Sequence, residues 1–392
     1  MPTERLDRRD PALRAFEARV LRHGRWGERP TLVLDASAFY PESGGQLGDR
    51  GRLGALEVVD TQIDDAGDVH HLVEGGPLPS PGARVEATLD DARRREHMAL
   101  HTAQHVLSRA LEEVAGATTV SARLGERAAT IDTARTLSER QRREAEALAQ
   151  EIADADRPVR ALTPSPEELA RLSLRRAPKV APGTQVRLIE VEGFDRTPCG
   201  GTHVARTAQL GTIQITDLVG HKAGSRVTFV AGLRARRRLL HDAAALRALG
   251  GRFSCAPADV ALAVDKLERQ LADAREALGA ARAGWAEAIL AGVDPAEARW
   301  VQVLAGLDVD TVRQVATRWA SEGAREAVLA APTEGGLHVV AARGPESELD
   351  CGALVKALAK RLGGGGGGRP ERAEGRLKAP ADLDLAAALD GA

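Results

Sequence analysis

Between residues 14 and 89 the apolar residues fall into short alternating or β-branched runs: Phe16–Leu21, Thr31–Leu34, Leu53–Val59, Val69–Val73 and Val85–Leu89. Gly, Pro, Asp and Ser separate them. A period of two turns one face of each run to a core and the other to water, so these runs predict a small β-barrel or sandwich. The pattern then changes. From Asp90 to Val114 helix formers dominate, and Leu100, Leu107 and Leu111 recur at helical spacing, which predicts a helix. Thr119–Leu124 and Ala128–Asp132 read as a hairpin, and Leu137–Ala155 as a charged amphipathic helix. Pro158, Pro164, Pro166, Pro178 and Pro182 break the next stretch around a strand at Val186–Val191. Strands follow at Gly211–Thr216 and Arg226–Ala231.

From Leu233 the chain reads as helix. Arg234 and Arg236 to Arg238 open one, and a second begins near Pro257. In the second, Val264, Leu267, Leu271, Ala274, Leu278, Ala281 and Trp285 follow the three-then-four step of a heptad. The run is too short for a long rod and predicts a helical hairpin or a short dimer seam. Beyond it, strands at Trp300–Leu304, Ala327–Ala331 and Leu337–Ala342 alternate with helices at Val309–Ala320 and Asp350–Leu362, the mark of a separate α/β domain. The expected class is α+β, with a barrel over residues 1–90, an α/β domain over 91–232, a helical hairpin over 233–292 and a C-terminal α/β domain over 293–392.

Composition changes this picture little. The net charge is −2 and the pI about 6.6, so any nucleic-acid partner must be held by local patches. Six of the 54 basic residues are Lys and the rest Arg, a bias too uniform to mark a phosphate site by itself. Aromatics make up 3%, which leaves few platforms for base stacking. The three cysteines are too few and too odd in number for a disulfide framework and fit a reducing compartment. Cys255 and Cys351 have no nearby ligand partners and read as structural. No apolar run approaches the ~20 residues of a membrane span, and the N-terminus has no apolar signal region. A cytoplasmic protein with no membrane partner is expected.

The candidate chemistry lies in two distant pieces, His101-Thr102-Ala103-Gln104-His105 and Cys199-Gly200-Gly201-Thr202-His203. Residues four apart on a helix share one face, so His101 and His105 can aim at one point. The second piece, after Pro198 and with two glycines inside, reads as a tight turn around a ligand. Three imidazoles and a thiolate form a plausible tetrahedral zinc set. The alternative is an incidental His pair and an unrelated buried Cys. Three further features are candidates for contacts with nucleic acid. Gly44-Gly45 permits close backbone approach, either in an ordinary hairpin loop or in a loop pressed against the metal site. Arg93, Arg94, Arg95 and His97 crowd the first turns of the helix, where its dipole favours anions. The six glycines Gly363–Gly368, including Gly365 and Gly366 and followed by Arg369-Pro370, form either a flexible linker or a loop offering N–H groups to phosphate.

Together Gly44-Gly45-Gln46 and the two ligand motifs resemble the editing domain of alanyl-tRNA synthetases and of their free-standing relatives, the alanyl-tRNA editing proteins. The glycine tail resembles the DHHA1 domain of the long forms. The resemblance covers nearly the whole chain. It implies a zinc-dependent hydrolysis of tRNA(Ala) mischarged with serine or glycine, without aminoacylation. The piece ahead of the editing region is too short for a class II synthetase core, and no ATP-binding signature appears. The chain departs from the family at Gln104, where Thr is common, and at Val120-Ser121-Ala122, where Val-Ser-Gln is frequent. Thr102, Gln104 and Ser121 are the candidates to read a serine hydroxyl, since a site built to hydrogen-bond that group rejects alanine well. Four protein ligands would close a zinc site. Either one ligand is weak, or zinc orders the pocket while a neighbour positions water. Editing of Ser-tRNA(Thr), a non-catalytic zinc-stabilised RNA-binding module and pairing of two chains through the C-terminal region are the further expectations.

Overall fold

A computed structural model describes residues 2–178 and 185–390; Pro182, among the predicted chain-breaking prolines, lies outside the described residues. Two compact units divide the chain, Met1–Ala248 and Leu249–Ala392.

The first unit opens with a closed six-stranded antiparallel barrel. Its strands are β1 (Ala15–Trp26), β2 (Arg29–Leu34), β3 (Gly51–Leu53), β4 (Leu56–Ile63), β5 (Val69–Glu74) and β6 (Arg84–Leu89), in the order β1-β2-β5-β4-β3-β6. Val20, Leu32, Leu34, Phe39, Leu53, Val58 and Val73 fill it, the alternation read from the sequence. Closure leaves no strand edge for another chain to pair with. The barrel positions the loop between β2 and β3, which carries Gly44, Gly45 and Gln46.

Helix α1 (Asp91–Ala115) follows at once. The Asp90 side chain accepts the Arg93 N–H, and Gly116 closes the helix in the left-handed conformation. Its apolar face, with Leu100, Ala103, Val106, Leu107, Ala110 and Leu111, packs on an antiparallel sheet. That sheet runs β12-β13-β8-β7, formed by β7 (Thr119–Leu124), β8 (Ala129–Thr133), β12 (Ile213–His221) and β13 (Gly224–Ala231). Helix α2 (Glu139–Asp154), closed at its N-terminus by a Ser138/Gln141 capping box, covers the same core through Ala145, Ala149 and Ile152. A three-stranded meander of β9 (Val159–Leu162), β10 (Leu188–Val191) and β11 (Asp195–Pro198) ends where the second ligand motif begins.

Helix α3 (Leu233–Phe253) begins in the first unit, and α4 (Val260–Ala291) lies in the second. Of the predicted heptad seam on α4, Val264, Leu267, Leu271, Leu278 and Trp285 are exposed. The second unit has a sheet of β14 (Arg299–Val303), β15 (Glu326–Thr333), β16 (Gly336–Arg343), β17 (Gly364–Arg369) and β18 (Arg372–Leu377), in the order β14-β15-β16-β18-β17. Helices α5 (Val309–Trp319) and α6 (Cys351–Leu362) pack on it.

The six glycines are therefore not a loop. Gly364–Gly368 form most of the edge strand β17, in register with β18. A Cβ at Gly366 would lie 2.6 Å from Val355 Cγ1 of α6, so the missing side chains let the helix settle on the strand. Gly365 and Gly366 are held by this pairing, and Arg369 faces Arg372 at the turn of the β17–β18 hairpin. Among the described residues no helix is long and apolar enough to cross a membrane.

Candidate metal centre

His101 and His105 point from one face of α1 toward the irregular turn that follows β11. There the ligand atoms of His101, His105, Cys199 and His203 all lie within 4.8 Å of one another, in a buried setting. Cys199 Sγ is 3.4 Å from His101 Nε2 and 3.3 Å from His203 Nε2. In a tetrahedral zinc site a sulfur and a nitrogen ligand are separated by ~3.6 Å, from the usual bond lengths, so the donor set fits that geometry. Gly201 makes the approach possible, since a Cβ there would fall 2.2 Å from His101 Cε1.

Two of the imidazoles have a hydrogen-bond partner on Nδ1, the arrangement that directs the other ring nitrogen at a metal, and the third has a carboxylate close by. His101 Nδ1 lies 2.8 Å from Gln46 Oε1, and His203 Nδ1 lies 3.0 Å from the Thr102 hydroxyl. His105 Nδ1 lies 3.4 Å from the buried carboxylate of Asp195, long for a hydrogen bond but close for a charge. Asp195 is held in turn by Arg175 Nε at 2.8 Å and by the Thr197 hydroxyl. Gln46 also accepts the Thr202 N–H and donates to its hydroxyl, which ties the barrel loop to the ligand turn. Arg187 Nη1 donates to the carbonyls of Cys199 and Gly201, both at 2.9 Å.

The electrostatics follow from this packing. Burial alone would raise the Cys199 thiol, but the imidazoles of His101, His203 and His105 outweigh it and hold the group well below its ordinary value. Burial and then His101 push His203 down to about 3. His105 is raised despite its burial, by Cys199 and Asp195. Burial, opposed chiefly by His105 and Arg175, leaves Asp195 down at about 2. A thiolate, three imidazoles and an anionic second layer suit a divalent cation. Asp195→Asn is expected to weaken metal affinity 10–100-fold while the chain stays folded, as checked by competition with a chromogenic chelator and circular dichroism.

The remaining candidate residues fall elsewhere. The Thr102 hydroxyl is saturated: it donates to the Met98 carbonyl, accepts the Val204 N–H and meets His203. It orients His203 and has no capacity left to read a substrate hydroxyl. Gln104 donates to Ser108 Oγ at 2.7 Å, along the helix. Ser121 is exposed and bonds Asp132 on the sheet face turned away from α1, because strand alternation sends Ala122, and not Ser121, toward the core. Gly45 adopts φ +86° and its carbonyl accepts the Leu124 N–H, so the Gly44-Gly45 turn docks on β7.

Arg94 is not available to phosphate. It is fully buried, pairs with Asp49 and donates to the carbonyls of Pro11 and Ala38. Arg93 is largely covered and pairs with Glu126. The helix N-terminus is already occupied by the Asp90 carboxylate. Gln46 and Asp195 are the functional residues that sequence reasoning missed. Gln46 stood inside the glycine motif, whereas Asp195 had only its place four residues before Cys199.

Comparison with known proteins fits this geometry. The domain described as "Threonyl and Alanyl tRNA synthetase second additional domain" matches residues 186–230, which hold Cys199 and His203. The DHHA1 domain matches residues 299–390. The alanine–tRNA ligase of Synechococcus elongatus is 33% identical over 99% of this chain and 48% of its own length. That of Korarchaeum cryptofilum is 30% identical, over 96% of this chain and 43% of the relative. The chain spans about half the length of the curated relatives it matches. The C-Ala domain from Aquifex aeolicus alanyl-tRNA synthetase aligns at 22% identity with 24% of this chain and 84% of that one, but its TM-score of 0.21 is too low to support a fold argument. The chain thus carries a synthetase-type second additional domain and a DHHA1 domain and is a homologue of alanyl-tRNA synthetases along nearly all its length. That combination is consistent with an alanyl-tRNA editing protein.

Proposed function

We propose that this chain hydrolyses the ester of tRNA(Ala) mischarged with serine or glycine, acting in trans and depending on zinc. The buried four-donor cluster carries this reading: one half, Cys199 and His203, lies within the matched domain, and the other, His101 and His105 on α1, meets it in space. His101, His105, Cys199 and His203 would hold the ion. When bound it would supply a positive charge able to polarise a carbonyl or acidify water. The chain's own residues prepare the site. Gln46 and Thr102 orient the imidazoles of His101 and His203, Asp195 sets a negative charge beside His105, Arg187 holds the Cys199–Gly201 turn, and Cys199 stands ready as a thiolate. The exposed seam of α4 is the surface through which two copies would pair.

A second reading, editing of Ser-tRNA(Thr), has one observation in its favour: the matched editing domain is shared with threonyl enzymes. The DHHA1 match and the alanine–tRNA ligase relatives favour tRNA(Ala). Deacylation of Ser-tRNA(Ala), Gly-tRNA(Ala) and Ser-tRNA(Thr) by the zinc-loaded protein separates the two. Activity on Ser-tRNA(Thr) alone would overturn the choice. Tight RNA binding without release of any amino acid would make the chain a binding module.

A further inference from the structure

Four arginines of the first unit crowd the start of α1 and share two carboxylates. Arg50 and Arg93 both pair with Glu126, at 2.9 and 3.2 Å. Arg234 and Arg237 both pair with Glu96, at 3.0 and 3.1 Å. Guanidinium groups keep their charge at any working pH, so four cations against two anions leave two positive charges unmatched (4 − 2 = 2). Arg50 and Arg237 are exposed, while Arg93 and Arg234 are largely covered.

Among these groups stands His97. It is fully buried, and among the described residues neither of its ring nitrogens has a hydrogen-bond partner. Burial and then the charges of Arg93, Arg234, His101 and Arg50 push its pKa down to about 3, so its ring is neutral. The surplus positive charge of the surrounding guanidinium groups suits an anionic oxygen ligand. His97 also stands four residues before His101, on the same helix face and ~6 Å along the axis.

We propose that Arg50, Arg93, Arg234 and Arg237, with His97 among them, form a phosphate site for RNA that takes the phosphodiester on the 5′ side of the terminal nucleotide. The spacing to His101 then sets the terminal ribose, and the ester it carries, against the metal centre. This placement rests on the deacylase reading; the binding of RNA phosphate does not. Arg93 and Arg234 form the covered part of the site, and Arg50 and Arg237 are its solvent-facing clamps.

The test uses the full chain and an uncharged minihelix of tRNA(Ala) ending in CCA. Binding is followed by fluorescence anisotropy across a salt series, and deacylation is measured on the serine-charged minihelix. Arg50→Gln combined with Arg237→Gln changes only exposed side chains. It is expected to weaken minihelix binding about tenfold and to flatten the salt dependence by ~1–2 units of log–log slope. KM should rise in proportion and kcat should hold. Arg160→Gln, an exposed arginine paired with Glu192, is expected to change none of these. Unchanged affinity and slope in the double variant would overturn the site. A minihelix lacking CCA that binds as tightly, and loses as much in the variant, would overturn its placement at the 3′ end. Loss of RNA binding in the variant, with no ester cleavage by the native protein, would keep the phosphate site and sink the deacylase reading.

Discussion

Cys199→Ala is expected to abolish stoichiometric metal binding and to slow release of serine from Ser-tRNA(Ala) by more than ~100-fold. The lower bound follows from what loss of a mere orienting partner costs such centres; a lost ligand costs more. Cys199 is the one anionic donor, and its thiolate sits 3.3–3.4 Å from two imidazole nitrogens. Without it the site keeps three imidazoles and no anionic donor to the cation. Elemental analysis and a deacylation assay on the same preparation check this. Full activity in a metal-free variant would refute the centre. Wild-type activity lost to a chelator and restored by added zinc is the companion result.

The second large effect lies outside the site. Asp49→Ala is expected to destabilise the first unit by about 3–5 kcal/mol, because it strands a buried guanidinium. Arg94 is fully covered and has Asp49 as its counter-ion; Asp49 also accepts the Tyr40 N–H. Arg95→Ala, one residue along, should leave stability almost unchanged, since that side chain is 74% exposed and paired with a surface carboxylate. Urea unfolding of the two variants measures the contrast. Equal effects would mean that the buried pair does not tie the barrel to the helix.

That contrast also shows where the sequence stops being legible. Arg93, Arg94 and Arg95 look like one basic cluster on the page. A helix turns each ~100° from the last, so one lies against Glu126, one enters the core and one faces water. The alternating runs of the barrel and the helical spacing of Leu100, Leu107 and Leu111 were readable because local period decides them. The meeting of the four His and Cys donors was readable because both halves are short motifs. The orienting layer was not: His101 and Gln46 are 55 residues apart, and nothing local couples His105 to Asp195. Thr102 was noticed for the wrong role, since only the fold shows its hydroxyl already spent on Met98, Val204 and His203. Ser121 failed for a simpler reason. Its strand was right, but the residue's parity placed it on the outer face.

The oligoglycine tract was misjudged because glycine has no strand preference of its own; pairing with β18 and the weight of α6 impose the extended form. Each glycine fixed there forfeits about 0.5–1 kcal/mol more chain freedom than alanine would. β17 is therefore ordered on credit from its neighbours, and amide protons along this rim should exchange with solvent before those of β15 and β16. A sheet margin so bare of side chains can also reshape itself around a partner backbone with no rotamers to rearrange.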